Sequence, residues 1–190
     1  KIFGGGELLF FINIFNKTLN SENPESFLQN LKYLTEKKFF DVGKLYIQEI
    51  EKISKENKYL TNKLPLNFIN IGLIKLILPN SKIIHCSRNP KDTCLSIYKN
   101  YFVNTKLNFA YNLDELTEFY QLYINLMNYW KKILPHFIYE IKYEELIKNP
   151  NSEIKSLLKY CNLTINYRVR LFYLSTMMLD SVHYCVRNAY

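Results

Sequence analysis

A chain of 190 residues, 48% hydrophobic and 22% charged, is long enough for one domain with a sizeable core, and this balance excludes an intrinsically disordered protein. Its 25 Lys and Arg outnumber 17 Asp and Glu, and the formal charge of +8 favours anionic partners: a phosphate ligand, nucleic acid or an acidic surface. The basic residues are scattered, with no block of about five or six like charges, which argues against a nucleic-acid-binding arm.

Residues 7–17 are apolar enough for a buried helix, and a polar turn follows at 21–24. From 25 to 56 the spacing is helical among many charges: Phe27, Leu28, Leu31 and Leu34, then Val42, Leu45, Tyr46 and Ile50. Residues 59–64 suit a short strand ending at Pro65, and 68–78 a mostly buried helix closed by Pro79 and Asn80. The run at 82–87, KIIHCS, has the pattern of a strand buried on both faces. A helix should start at once after it. Asn89 can cap, Pro90 suits the first helical position and Asp92 adds acid to the first turn. Beyond a loop near 104–112, a long amphipathic helix carries Leu116, Phe119, Tyr120, Tyr123, Met127 and Trp130 on one stripe and stops at Pro135. Residues 137–143 are a further strand candidate and 152–161 a further helix. Strands alternating with helices predict an α/β layered fold, a parallel sheet flanked by helices, in a single domain spanning 1–190.

The segment 88–96, RNPKDTCLS, carries the most chemistry. It puts Arg88 at the C-terminal end of a buried strand, where open α/β sheets bind ligands, and follows it with a helix N-terminus. Ser96 lies two turns in, on the face shared with Asp92. A guanidinium fork, a hydroxyl and a helix terminus together suit a phosphate. The plainer alternative is that Arg88 pairs with a carboxylate and Ser96 only packs.

This segment resembles the 3′-phosphate-binding stretch of sulfotransferases that use 3′-phosphoadenosine 5′-phosphosulfate (PAPS), in which an arginine ends a strand and a serine eight residues later completes the site. Residues 61–102, the helix end at 128–135 and the segment 143–150 are similar to the TPR-linked and tyrosylprotein branch of that family. The resemblance implies a P-loop-like nucleotide-binding fold and sulfuryl transfer from PAPS to a hydroxyl of a peptide tyrosine, carbohydrate or small alcohol, without a metal. It implies that Arg88 and Ser96 hold the 3′-phosphate, that Tyr143 contacts adenosine, and that Arg187 is a further donor contact. It also implies that Lys63 stabilises the leaving group and Glu7 serves as general base. The family's first strand and phosphosulfate loop are expected upstream of Gly4, so the chain reads as an incomplete sulfotransferase domain, inactive by itself, with a possible TPR region in its parent.

Each of these residues has a plainer reading: Lys63 as a surface lysine, Glu7 as ordinary charge near a helix start, Tyr143 as core. Gly4–Gly6 do not form a Walker-type loop, so a P-loop kinase is disfavoured. A non-catalytic nucleotide- or nucleic-acid-binding module remains the rival, with the charge in its favour and the lack of a basic block against it. Cys86, Cys94, Cys161 and Cys185 show no CxxC, and His85, His136 and His183 have no partners at metal spacing, so no metal is expected. His85 reads as a strand-core residue and the other two as surface. The apolar run at 8–15 is too short to span a membrane, and with no signal peptide a cytoplasmic location is expected.

Overall fold

The structure is a computed structural model and describes residues 2–20, 23–54, 57–102, 105–163 and 181–187. It opens with a three-residue strand, β1 (Ile2–Gly4), and passes through a glycine turn into α1 (Phe10–Leu19), which buries Phe11, Phe15 and Leu19 one turn apart. Asn23 caps α2 (Pro24–Leu31): its side chain accepts from the Ser26 N–H, and the Ser26 hydroxyl reaches back to the Asn23 backbone. α3 (Glu36–Ser54) follows and buries Val42, Tyr46 and Ile50. The helical spacing of 25–56 therefore belongs to two helices. The break falls where Thr35 starts a new one, its hydroxyl accepting from the Lys38 N–H at 3.3 Å.

β2 (Tyr59–Lys63) leads to a 3-10 turn at Pro65–Asn70 and then α4 (Ile71–Ile77), so the helix expected over 68–78 is real but starts as a 3-10 turn. β3 (Lys82–Ser87) has four buried residues between half-exposed ends. α5 (Pro90–Lys99) starts as the sequence predicts, with the Asn89 side chain accepting from the Lys91 N–H. A second 3-10 segment at Thr105–Tyr111 precedes α6 (Leu113–Ile133), whose first turn carries Asp114 and Glu115 and whose last turn carries Lys131 and Lys132, complementing the helix dipole. Then come β4 (Ile138–Lys142), α7 (Tyr143–Lys148), α8 (Pro150–Tyr160) and β5 (Ser181–Arg187).

The chain divides into two compact units, one of residues 1–64, 70–81 and 183–190, the other of 65–69 and 82–182. In the first, β1 runs parallel to β2, with Ile2 opposite Tyr59 and Gly4 opposite Thr61. β5 runs antiparallel to β2, with Tyr59 opposite Arg187 and Lys63 opposite His183. Phe11, Phe15, Tyr46, Ile50, Ile71 and Ile74 make its core, and the Phe11 and Phe15 rings lie 5.0 Å apart. In the second, β3 runs parallel to β4 from Ile83 opposite Ile138 to Ser87 opposite Lys142. Ile84, Cys86 and Ile141 pack with Leu146 of α7 and with Leu157 and Leu158 of α8. The Phe68 ring meets Phe119 and Tyr123 edge-on, and the Trp130 indole N–H donates to the Phe68 carbonyl at 2.8 Å.

The α/β class is as predicted, with two amendments. β1 supplies a strand ahead of residue 7, too short to show a pattern. β5 breaks the all-parallel expectation, although its sequence alternates Ser181, His183 and Cys185 with Val182, Tyr184 and Val186 as a strand should.

The approach of β1's end to β2 is tight. The Gly5 N–H donates to the Thr61 carbonyl at 2.8 Å, and a Cβ at Gly5 would meet that carbonyl oxygen at 2.9 Å and Leu8 Cδ1 at 2.8 Å. Gly5→Ala is expected to lower the unfolding free energy by about 1–3 kcal/mol. The check is urea denaturation, where an unchanged midpoint would show that this approach tolerates a methyl group.

Candidate functional site

In the first unit the ladder between β1 and β2 continues past Gly4 through irregular backbone. The Lys63 N–H donates to the Gly6 carbonyl at 2.7 Å, and Gly6 itself sits at φ 65°, a conformation glycine adopts without penalty. Asn62 is fully buried, and its side chain bonds both backbone groups of Leu8, accepting from the N–H at 3.1 Å and donating to the carbonyl at 3.0 Å. Between these two ties lies Glu7, whose carboxylate forms an ion pair with the Lys63 ammonium. The Lys63 side chain is 28% exposed and that of Glu7 51%, so solvent and any ligand reach both. Two sequence candidates 56 residues apart thus come into direct contact.

In the second unit Arg88 follows β3 directly. Its guanidinium lies over the Tyr143 ring at 5.1 Å and meets the Asp92 carboxylate only at 3.8 Å, while its Nε is buried without a hydrogen-bond partner. The turn holding it is pinned from α7, where the Glu144 carboxylate accepts from the Asn89 N–H at 2.7 Å. Ser96 is half-buried on α5, and among the described residues no hydrogen bond joins it to Arg88. Arg187 ends β5, and its side chain, like that of His183, lies outside the described residues. The structure therefore joins Arg88 with Tyr143 and leaves Ser96 as a neighbour on the following helix.

The second unit also holds a polar cluster that the sequence did not announce. His85 is 2% exposed, as its strand-core reading requires, and its Nε2 shares a 2.5 Å hydrogen bond with the Tyr123 hydroxyl. Its Nδ1 faces the Glu140 carboxylate at 3.8 Å, beyond hydrogen-bond reach, and Glu140 accepts from the Lys131 ammonium at 2.5 Å. Burial, and then the Lys131 charge, outweigh Glu140 and push the His85 pKa down to about 4. Burial raises the Glu140 pKa, but its hydrogen bond to Lys131, the Lys131 and His85 charges and a bond from Ser87 prevail and leave it lowered. The ring is thus neutral at pH 7, which spares Arg88 a second positive charge three residues away.

Among the described residues no cluster of three or more His, Cys, Asp or Glu is placed to hold a metal, and no helix is long and apolar enough to cross a membrane.

A family model described as "Sulfotransferase family" matches residues 16–167, and the chain belongs to that family. The chain is also 30% identical over 179 residues to a protein of Aquifex aeolicus (strain VF5) described as "Uncharacterized protein". That match takes in 90% of this chain but 24% of the relative, so the chain spans about a quarter of its relative's length.

The lowered His85 pKa has a stability consequence with a definite sign. Because the unfolded ring binds its proton near pH 6.5 and the folded ring only near pH 4, the stabilisation is full above 6.5 and is lost as pH falls towards 4. The loss amounts to at most about 3 kcal/mol. His85→Phe should flatten the unfolding midpoint against pH in this window; an equally steep profile would assign the loss to other groups.

Proposed function

We propose that the protein transfers a sulfuryl group from PAPS to an acceptor hydroxyl. The observation that carries the reading is Arg88: a guanidinium at the end of a buried strand, beside a helix N-terminus, its Nε buried without a partner, within the stretch matched by the sulfotransferase family. A phosphate would give that group an acceptor and complete a charge-assisted fork.

On this reading Arg88 and Ser96 bind the donor's 3′-phosphate, Tyr143 contacts the adenosine and Arg187 is a further donor contact. The acceptor oxygen attacks sulfur in line as the bond from sulfur to the bridging oxygen breaks. Adenosine 3′,5′-bisphosphate departs with that electron pair, and the acceptor proton passes to the Glu7 carboxylate. Lys63 stabilises the charge growing on the leaving phosphate. The Glu7–Lys63 ion pair supports this reading in that it puts the proposed base and the proposed cation at one solvent-reached spot at the end of β2. The segments 61–102 and 143–150 favour the TPR-linked and tyrosylprotein branch. The acceptor is a peptide tyrosine, a carbohydrate or a small alcohol, because acceptor choice lies in loops grafted on the fold.

Two measurements test the assignment. Arg88→Ala should weaken adenosine 3′,5′-bisphosphate binding by roughly 1.5–3 kcal/mol by calorimetry, and Ser96→Ala by less, since a neutral hydroxyl donates a weaker bond. Binding within about twofold of wild type, or equal affinity for random oligonucleotides, would remove the 3′-phosphate site. Lys63→Ala should lower kcat by about 10²–10³-fold while donor affinity changes little, because its partner charge develops in the transition state. A variant that keeps kcat but binds donor poorly would make Lys63 a ground-state contact.

A further inference from the structure

We infer that Asn62 is a positioning residue, one that holds Glu7 against Lys63 by replacing a rung of the β1–β2 ladder with its own side chain. The inference rests on the sulfuryl-transfer reading and deepens it at the base.

The strand pattern of β2 turns Leu60 and Asn62 inward, and both are fully buried. A buried amide is costly unless its donor and acceptor are both satisfied, and an apolar side chain would fill the position at no such cost. Here the amide's oxygen and its nitrogen both bond Leu8, 54 positions away in sequence.

The geometry explains why. Backbone pairing between β1 and β2 runs from Ile2 opposite Tyr59 to Gly4 opposite Thr61 and ends with the bonds of Gly5 to Thr61 and Lys63 to Gly6. At Gly6 the chain turns through φ 65°, and a regular ladder cannot continue. The Asn62 amide takes over, presenting an acceptor and a donor to Leu8 much as a facing strand would. Glu7 is thus fixed on both sides, by Gly6 bonded to the Lys63 backbone and by Leu8 bonded to Asn62. Its backbone is thereby held where the carboxylate reaches the Lys63 ammonium. Lys63 needs no such help, since its place is set by β2 itself, so the action of Asn62 runs through Glu7.

The test is a double-mutant cycle on the full-length protein turning over PAPS. Asn62→Ala should lower kcat about tenfold or more while donor KM and the Kd for adenosine 3′,5′-bisphosphate stay within about twofold, because misplacing a reacting group costs rate rather than donor affinity. In a Glu7→Gln background the same substitution should cost less than about twofold more, since the group it positions is already lost. A merely structural role would lower kcat by the same factor in both backgrounds, and that result overturns the inference. An unchanged kcat for Asn62→Ala beside a large loss for Glu7→Gln also overturns it, and leaves the base assignment standing. Full activity of Glu7→Gln, or no turnover by the full-length wild type, refutes the functional reading and the positioning role with it. If Asn62→Ala does not fold by circular dichroism, Asn62→Thr, which suits a strand and offers one hydroxyl in place of the amide, takes its place in the same cycle with the same deciding outcomes.

Discussion

A strand buried on both faces has to release its first large charged side chain where the sheet ends, and in this chain that residue is Arg88. The residues of β3 from Ile83 to Cys86 leave no solvent for a charge, so the guanidinium emerges at the C-terminal edge, where the chain turns into α5. The turn has few ways to fold. Asn89 bonds the Lys91 N–H through its side chain and gives its own N–H to Glu144, while Pro90 fixes the first helical residue. Arg88 is therefore held by its backbone while its guanidinium has a ring on one face, a distant carboxylate and an unpartnered Nε. A positive group so fixed and so little satisfied is suited to an anion that arrives from solution.

That constraint also accounts for the polar cluster inside the second unit. His85 lies in the buried strand that leads to Arg88, and burial, then the Lys131 charge, depress the ring's pKa to about 4, so it stays neutral at pH 7. Glu140 then serves Lys131 rather than the histidine, at 2.5 Å against 3.8 Å.

Much of this was legible in the sequence because it is local. The boundaries of β3 and the start of α5 follow from KIIHCS and the Asn89–Pro90 pair, and the stripe on α6 from its period. The same local reasoning failed where the pattern ran on or ran short. Leu31 and Leu34 keep helical spacing across the break before Thr35; β1 has three residues; α7 follows β4 without a gap. The least legible features join residues far apart, such as Asn62 with Leu8, because a single buried amide in a strand does not reveal its partner. One signal was present: strand alternation puts Asn62 on the side of Leu60, and a polar residue on an inward position must find hydrogen bonds somewhere.

The Glu7–Lys63 pair sharpens the distinction between what stabilises this protein and what the protein is built to hold. With side chains 51% and 28% exposed, the pair contributes at most about 1 kcal/mol to folding after solvent screening. Yet its framework is elaborate: a glycine at 2.9 Å from a facing carbonyl if given a Cβ, a second glycine at φ 65°, and a buried amide bonded to both backbone groups of one residue. Each of these features narrows the residues the segment tolerates, and a weak surface ion pair does not repay that restriction in stability. The restriction makes sense if the quantity being fixed is a position rather than an energy, with a carboxylate and an ammonium held within contact of each other at the end of a strand and open to a ligand. On the sulfuryl-transfer reading proposed above, that position would serve a base and a cation acting on one reacting group.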